Sequence, residues 1–311
     1  MPSIFSGFPP QHLLITGGTG FIGSALVAQL VEAGHQVLVL SRNPARAIGK
    51  RDSRIRYTDN LAAVLSDPAT RPFDAVINLA GAPVVGWPWT AARQQVLLDS
   101  RVGTTQRVVA AFSNASRLPG VWIQASVIGY YGVREPGEDL TESSQPGAGF
   151  MSELCRKWEA AAAPVADAGV RQVVLRLGVV WGQGGALPPL LMPIKLGLGG
   201  RIGSGQQIIS WIHLQDVLRL IAHGLSSPAA QGVYNAVAPE PLSQADFVSL
   251  AGQILHRPNW LPLPAAPLRW VMGEMAQIFV DGQRVLPQRL VSEGFRFDFP
   301  DARSALVNLA G

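Results

Sequence analysis

The chain has 311 residues, 48% hydrophobic and 15% charged, so it can bury a sizeable core and is not a disordered segment. Its 25 basic and 21 acidic residues leave a formal charge of only +4, and Lys50, Lys157 and Lys195 form no basic run, which argues against a nucleic-acid partner. A single cysteine, Cys155, excludes an internal disulfide, fits a reducing compartment, and is expected as a small residue buried on a helix.

The first ten residues lack the basic and apolar regions of a signal peptide and read as a short arm. Leu13-Leu14-Ile15-Thr16 is an apolar run that breaks into Gly17, Gly20 and Gly23 and continues as a stretch of helix formers closed by Gly34. This is a strand feeding a phosphate-binding turn. Gly17 permits the tight turn, Gly20 lets the backbone approach a pyrophosphate, and Gly23 allows close packing of helix on strand. Gly17, Thr19, Gly20, Phe21, Ile22 and Gly23 are therefore the expected contacts of a dinucleotide.

Residues 36–40 read as a buried second strand, followed by Ser41 and Arg42 where an Asp or Glu would meet the ribose hydroxyls of NAD. A hydroxyl and a guanidinium there suit the 2′-phosphate of NADP; a solvated loop arginine is the plainer alternative. NADP is the cofactor expected.

Further apolar runs at 54–58, 75–79, 121–127 and 170–177 alternate with helical stretches at 90–112 and 150–167. The alternation implies an α/β fold, a Rossmann-type doubly wound parallel sheet with every loop that follows a strand on one edge. Ligand is expected at that edge, where Leu79, Ala80, Gly81, Ser126 and Gly178 fall. Residues 177–194 are uncharged, yet Pro188, Pro189, Pro193 and four glycines rule out a membrane span. Past residue 180, interleaved glycines and prolines predict an ordered loop region that carries binding residues.

One helix is expected at Asp216 as its cap, and another after Ser243, an N-cap with Asp246 three residues on. A proline-rich connector at 258–267 precedes a helix at 268–277. The expected organisation is a Rossmann domain over 11–180, with sheet contributions from later segments. A smaller C-terminal substrate-binding lobe follows over 181–311 and includes a C-terminal domain from about residue 260. The chain reads as cytoplasmic with no membrane partner. Its apolar composition leaves surface for a cofactor, a substrate or the second subunit of a homodimer to cover.

The glycine turn, Asn78-Leu79-Ala80-Gly81, Val127-Ile128-Gly129-Tyr130-Tyr131-Gly132 and Trp211-Ile212-His213-Leu214-Gln215-Asp216 together resemble the extended short-chain dehydrogenase/reductases, the group that contains nucleotide-sugar epimerases and dehydratases. Ser41-Arg42, Lys157-Trp158-Glu159, Arg176-Leu177-Gly178-Val179-Val180 and the run 196–213 look most like its atypical epimerase-family members of the YfcH type. Gly282-Gln283-Arg284-Val285-Leu286-Pro287 is similar to the small domain of unknown function at their C-terminus. The resemblance covers nearly the whole chain, implies NADP binding and leaves the substrate open.

That family works with a Tyr as acid/base, a Lys four residues later, an orienting Ser and often an Asn. Registering on Glu159 puts Met151 and Cys155 at the Tyr and Lys positions, and neither can do the proton chemistry. Ser100 stands at the Asn position, and Ser126 falls one place before the Ser register, which Val127 occupies. Ser126, Tyr130 and Lys157 are the candidate catalytic substitutes. Tyr130 or Tyr131 could supply the acid or simply pack, and Lys157 lies two helical residues beyond Cys155, rotated by about 200° from its face.

His213 reads as a structural imidazole. Trp87 and Trp89, around Pro88, suit an aromatic lid or a loop anchor. Glu135, Glu138, Asp139 and Glu142 read as a solvated acidic loop without metal-ligand spacing.

Three functions remain open: an NADP-dependent oxidoreductase on a small or nucleotide-linked carbonyl or alcohol that lacks the Tyr-x-x-x-Lys pair, a non-catalytic NADP-binding sensor loosely associated with cell division, and a nucleotide-sugar epimerase or dehydratase. The partners expected are NADP(H) and an unknown small-molecule substrate.

Overall fold

The computed structural model describes residues 3–47, 52–85, 89–113, 115, 117–134, 137–266, 270, 273–276 and 280–310. Short runs rich in Val, Leu and Ile form seven parallel strands: β1 (His12–Thr16), β2 (Gln36–Leu40), β3 (Ile55–Thr58), β4 (Ala75–Asn78), β5 (Val121–Val127), β6 (Arg171–Leu177) and β7 (Gly232–Ala236). Their order across the sheet is β3-β2-β1-β4-β5-β6-β7, with Leu14 of β1 opposite Leu38 on one side and Val76 on the other. The order reverses between β1 and β4, so a crevice opens beyond their carboxyl ends.

Both faces of the sheet are covered, which is why the strands read as continuous apolar runs. Leu13 and Ile15 point into one core with Leu26 and Leu30 of α1 (Phe21–Glu32). Leu14 and Val76 point the other way, into a cluster with Val108, Phe112 and Trp122.

The single helix expected at 90–112 is two, α2 (Ala91–Leu98) and α3 (Thr104–Ser113), joined by a π-helical turn at Asp99–Gly103. The long helix α4 (Phe150–Asp167) follows the expected bounds and packs on β5 and the π-turn.

Beyond β6, a third buried cluster gathers α5 (Leu187–Lys195), the stacked Trp181 and Trp211 rings 4.2 Å apart, Phe247 and the helix Ala302–Ala310. The helix α6 (Leu214–Ser226) returns to the sheet side, and its start differs from the sequence reading. His213, rather than Asp216, caps it, with Nδ1 accepting from the Gln215 N–H at 3.1 Å. Asp216 sits buried in the first turn, where its carboxylate accepts the backbone N–H groups of Asp298 and Phe299 at 2.7 and 3.0 Å; burial pushes its pKa up to about 6.

The helix α7 (Gln244–Leu255) starts at its expected Ser243 cap. Glu142 is not merely solvated: it accepts the Asn235 and Arg289 N–H groups and ties β7 to the C-terminal segment. Half of the helix expected at 268–277 lies outside the described residues, as do Trp87 and Glu135; a 3₁₀ turn covers Gly273–Ala276. No helix among the described residues is long and apolar enough to cross a membrane.

Gly23 is a packing glycine. A Cβ there would sit 2.1 Å from the Gly17 carbonyl oxygen and 2.7 Å from the Gly18 Cα, both backbone atoms that cannot yield. Gly23→Ala is therefore expected to destabilise the protein even though alanine gains about 1 kcal/mol of helix propensity. A denaturant midpoint equal to or above that of the native chain would contradict the close approach of α1 to the turn.

Candidate functional site

A cleft of about 1860 Å³ lies at the reversal of strand order. Its floor is the turn after β1. Gly17 has φ +68°, and a side chain on it would meet the Leu79 carbonyl 2.5 Å away, so only glycine serves. Gly20 is the N-cap of α1, which has no side-chain cap and no acid in its first turn. The N–H groups of that turn are left for an outside acceptor, preferably an anion. At Gly20 a Cβ would approach only the Gly17 carbonyl, at 3.2 Å, and otherwise project into open space.

Gly17, Thr19, Gly20 and Phe21 all line the cleft, together with Ser41 and Arg42 at the end of β2 and Leu79, Ala80 and Gly81 after β4. Arg42 is exposed, and among the described residues it forms no ion pair. Gly23 and Ile22 do not line it: both belong to the packing of α1. Gly178 does not reach it either, because a Cβ there would lie 2.5 Å from the Ser210 carbonyl. Its role is close packing against the next strand.

Buried side chains hold this floor in place. Thr16 Oγ1 donates to Asn78 Oδ1 and accepts the Ala80 N–H at 3.1 Å, which fixes the loop after β4 against β1. Asn78 Nδ2 donates to Thr105 Oγ1 at 2.7 Å and to Gln124 Oε1 at 2.9 Å. Thr105 in turn donates to the Arg101 carbonyl at 2.8 Å and accepts from the Trp158 indole at 3.1 Å. The π-turn is thereby tied to the ends of β4 and β5.

Three residues of the π-turn line the cleft, Asp99, Ser100 and Arg101. Ser100, at the family's Asn position, accepts the Ala82 N–H at 3.0 Å. Arg101 was not expected as a site residue, yet it lines the cleft with only 6% of its surface exposed. Its signal in the sequence is its place among Leu97, Thr105 and Val108 on the buried side of the helix, a charge inside an apolar stripe.

The candidate catalytic residues lie elsewhere. Ser126 is fully buried and donates to Glu159 Oε1 at 2.6 Å, and Glu159 holds Arg176 in a two-point pair at 2.9 Å. Arg176 lies 3.4 Å above the Tyr130 ring and donates to the Tyr131 hydroxyl, which donates to Asn235. The Tyr131 hydroxyl and the Tyr130 ring are thus both engaged by this internal network. Lys157 projects from the exposed side of α4 onto Glu153, 2.6 Å away.

None of Ser126, Tyr130 and Lys157 lines the cleft. For Lys157 the reason is helical geometry, since two residues past Cys155 a side chain leaves the buried face of α4; Ser126 and Tyr130 are turned to Glu159 and Arg176. Trp89 anchors its loop, with Nε1 on the Val84 carbonyl and the ring edge-on to Phe150. Among the described residues, no cluster of three His, Cys, Asp or Glu side chains is placed to hold a metal ion.

Cys155 is fully buried with Sγ on the Val127 carbonyl, and burial pushes its thiol up to about 12. The native protein at pH 8 is therefore expected to resist iodoacetamide, with stoichiometric alkylation only after unfolding. Mass spectrometry that finds rapid labelling of the folded chain would contradict the sealed interface between α4 and β5.

The comparisons with known proteins agree with this architecture. The model of the NAD dependent epimerase/dehydratase family matches residues 13–237, and that of a domain of unknown function (DUF1731) matches residues 263–309. The chain is 39% identical over 301 residues to the epimerase family protein SDR39U1 of Bos taurus, covering 95% of this chain and 98% of that protein. It is 35% identical to the epimerase family protein YfhF of Bacillus subtilis (strain 168), covering 96% and 98%. The crystal structure of human epimerase family protein SDR39U1 with NADPH matches with a TM-score of 0.85 at 37% identity, over 96% of this chain and 99% of that one. A reversal of strand order above a glycine turn, extended by matches along almost the whole length, makes this chain a member of the NAD-dependent epimerase/dehydratase family.

Proposed function

We propose that the cleft binds NADP(H) and that the protein is an oxidoreductase acting on a small or nucleotide-linked carbonyl compound or alcohol, with an active site that lacks the Tyr-x-x-x-Lys pair. One observation carries the cofactor reading: an uncapped helix start and an arginine at the end of β2 with no ion pair among the described residues line the same cleft. The first turn of α1, from Gly20, suits a pyrophosphate, and Ser41 with Arg42 suits a 2′-phosphate. Leu79, Ala80 and Gly81 form the opposite wall. The human relative crystallised with NADPH supports the same assignment.

When bound, NADPH supplies a hydride. The protein's own residues orient the cofactor and shield the cleft, while none of the three candidate donors, Ser126 on β5, Tyr130 in the turn after it and Lys157 on α4, lines it. Epimerisation is disfavoured by the same arrangement, since it moves protons as well as hydride. A non-catalytic NADP(H) sensor is the second reading, favoured by that absence of a donor.

Arg42→Ala is expected to weaken NADPH binding at least tenfold and leave NADH binding within about twofold, because a charge-assisted hydrogen bond is worth about 1.5–3 kcal/mol. Calorimetric titration of both cofactors decides it, and equal losses for the two would remove Arg42 from the phosphate. Catalysis is tested by single turnover. The protein loaded with one equivalent of NADPH is mixed with a panel of ketones, aldehydes and oxo acids, and absorbance is followed at the reduced nicotinamide band. Oxidation by at least one class is expected; none across the panel would favour the sensor.

A further inference from the structure

The cleft holds a cation that the cofactor reading does not use. Arg101 is 6% exposed, and among the described residues it forms no ion pair. Its guanidinium lies flat on Gly81, where a Cβ would come within 2.9 Å of Cζ, and 5.2 Å from the centre of the Trp158 ring on α4. Its donors reach the Ala82 carbonyl at 3.0 Å and the Leu97 carbonyl at 3.4 Å, while buried Nε has no partner.

Neutral carbonyl oxygens do not compensate a buried charge, and burial, helped by the like charge of Arg93, holds this guanidinium down to about 10. It remains charged at neutral pH. The other charged groups near it do not answer the deficit: Asp99 is exposed and accepts from Gln95, Arg93 adds like charge, and the Cys155 thiol is neutral.

The far wall of the same cleft has the opposite character. Pro189, Leu190, Pro193, Ile194, Phe247 and Leu261 line it. The glutamines there are turned to backbone: Gln244 accepts the Ile202 N–H at 2.9 Å, and Gln207 donates to the Ile202 carbonyl at 3.0 Å. A sugar bearing several hydroxyls would lose hydrogen bonds to water against such a wall, whereas an aliphatic or aromatic body would gain by burial.

We propose that Arg101 is the anion-binding residue of the substrate region, and that the ligand accepted beside the cofactor is an apolar-bodied compound carrying a carboxylate or phosphate. This rests on the NADP(H) reading of the cleft and narrows its substrate class. Nε is sealed, so the contact to an oxyanion falls to the terminal nitrogens of a guanidinium that lines the cleft, a planar, charge-assisted contact which a lysine would not reproduce.

The test uses the full chain, with and without saturating NADPH. Calorimetry measures 2-oxooctanoate, octyl phosphate, and the uncharged controls methyl 2-oxooctanoate and 2-octanone, while NADPH affinity is measured separately. The native protein is expected to bind at least one of the two anions tenfold or more tightly than the uncharged compounds. Arg101→Met is expected to abolish that preference and change NADPH affinity by less than threefold.

Whether carboxylate or phosphate gives the stronger signal identifies the headgroup. Equal binding of charged and uncharged probes to the native chain would overturn the proposal without any variant. So would a preference that survives in Arg101→Met. A tenfold loss of NADPH affinity in Arg101→Met with the preference unchanged would assign the guanidinium to the cofactor, and that also overturns it. Failure of the native chain to bind NADPH, with anion selectivity intact, would instead count against the cofactor reading alone.

Discussion

A continuous run of buried hydrogen bonds from Thr16 through Asn78 and Thr105 to Trp158 holds the site together. It joins β1, β4, α3 and α4, with a branch from Asn78 to Gln124 on β5. Asn78 is its hub, and every group it touches is sealed from water. Removing one member would leave donors and acceptors unsatisfied, at about 1–3 kcal/mol for each. The run also ends on backbone that matters for binding. Thr16 holds the amide of Ala80 beside the glycine turn, and Thr105 holds the carbonyl of Arg101 in the π-turn. One network therefore sets both the floor of the cleft and the position of the buried cation.

A second network explains why α4 contributes nothing to the cleft. Ser126, Glu159, Arg176, Tyr131 and Asn235 form a closed sequence of contacts, with Tyr130 stacked beneath the guanidinium. Ser126, Glu159, Arg176 and Tyr131 are each satisfied by a neighbour. Arg176 and Glu159 are both largely buried, so breaking the pair would strand a charge, and the arrangement is held by that cost. On the buried side of α4 stands a sealed thiol, Cys155. The polar groups of β5, β6 and α4 serve structure, and the cleft is left with anion-seeking groups and an apolar wall.

The sequence carried some of this and hid the rest for physical reasons. The glycine turn was legible because its constraint is steric and local: the φ of Gly17 and the clash at Gly23 follow from spacing along a strand-turn-helix. The sheet was legible because fully buried parallel strands announce themselves as apolar runs. Arg42 was legible because it stands at a fixed distance from the glycines.

Arg101 was not, since helix periodicity cannot foresee a π-turn that redirects one side chain toward a crevice built by distant strands. His213 and Asp216 exchanged expected roles for a similar reason. The partners of Asp216 are amides some 80 residues away at Asp298 and Phe299, beyond the reach of local capping rules. Glu142 looked like part of a solvated acidic loop, and only the return of β7 beside it revealed what it holds.

The account is tested most directly by a crystal structure of this protein grown with NADPH. The expected result has the pyrophosphate on the first turn of α1, the 2′-phosphate against Arg42, and the Arg101 guanidinium free of the cofactor and open to the space beside it. A 2′-phosphate turned away from Arg42, or a pyrophosphate seated on Arg101 instead of the glycine turn, would contradict it.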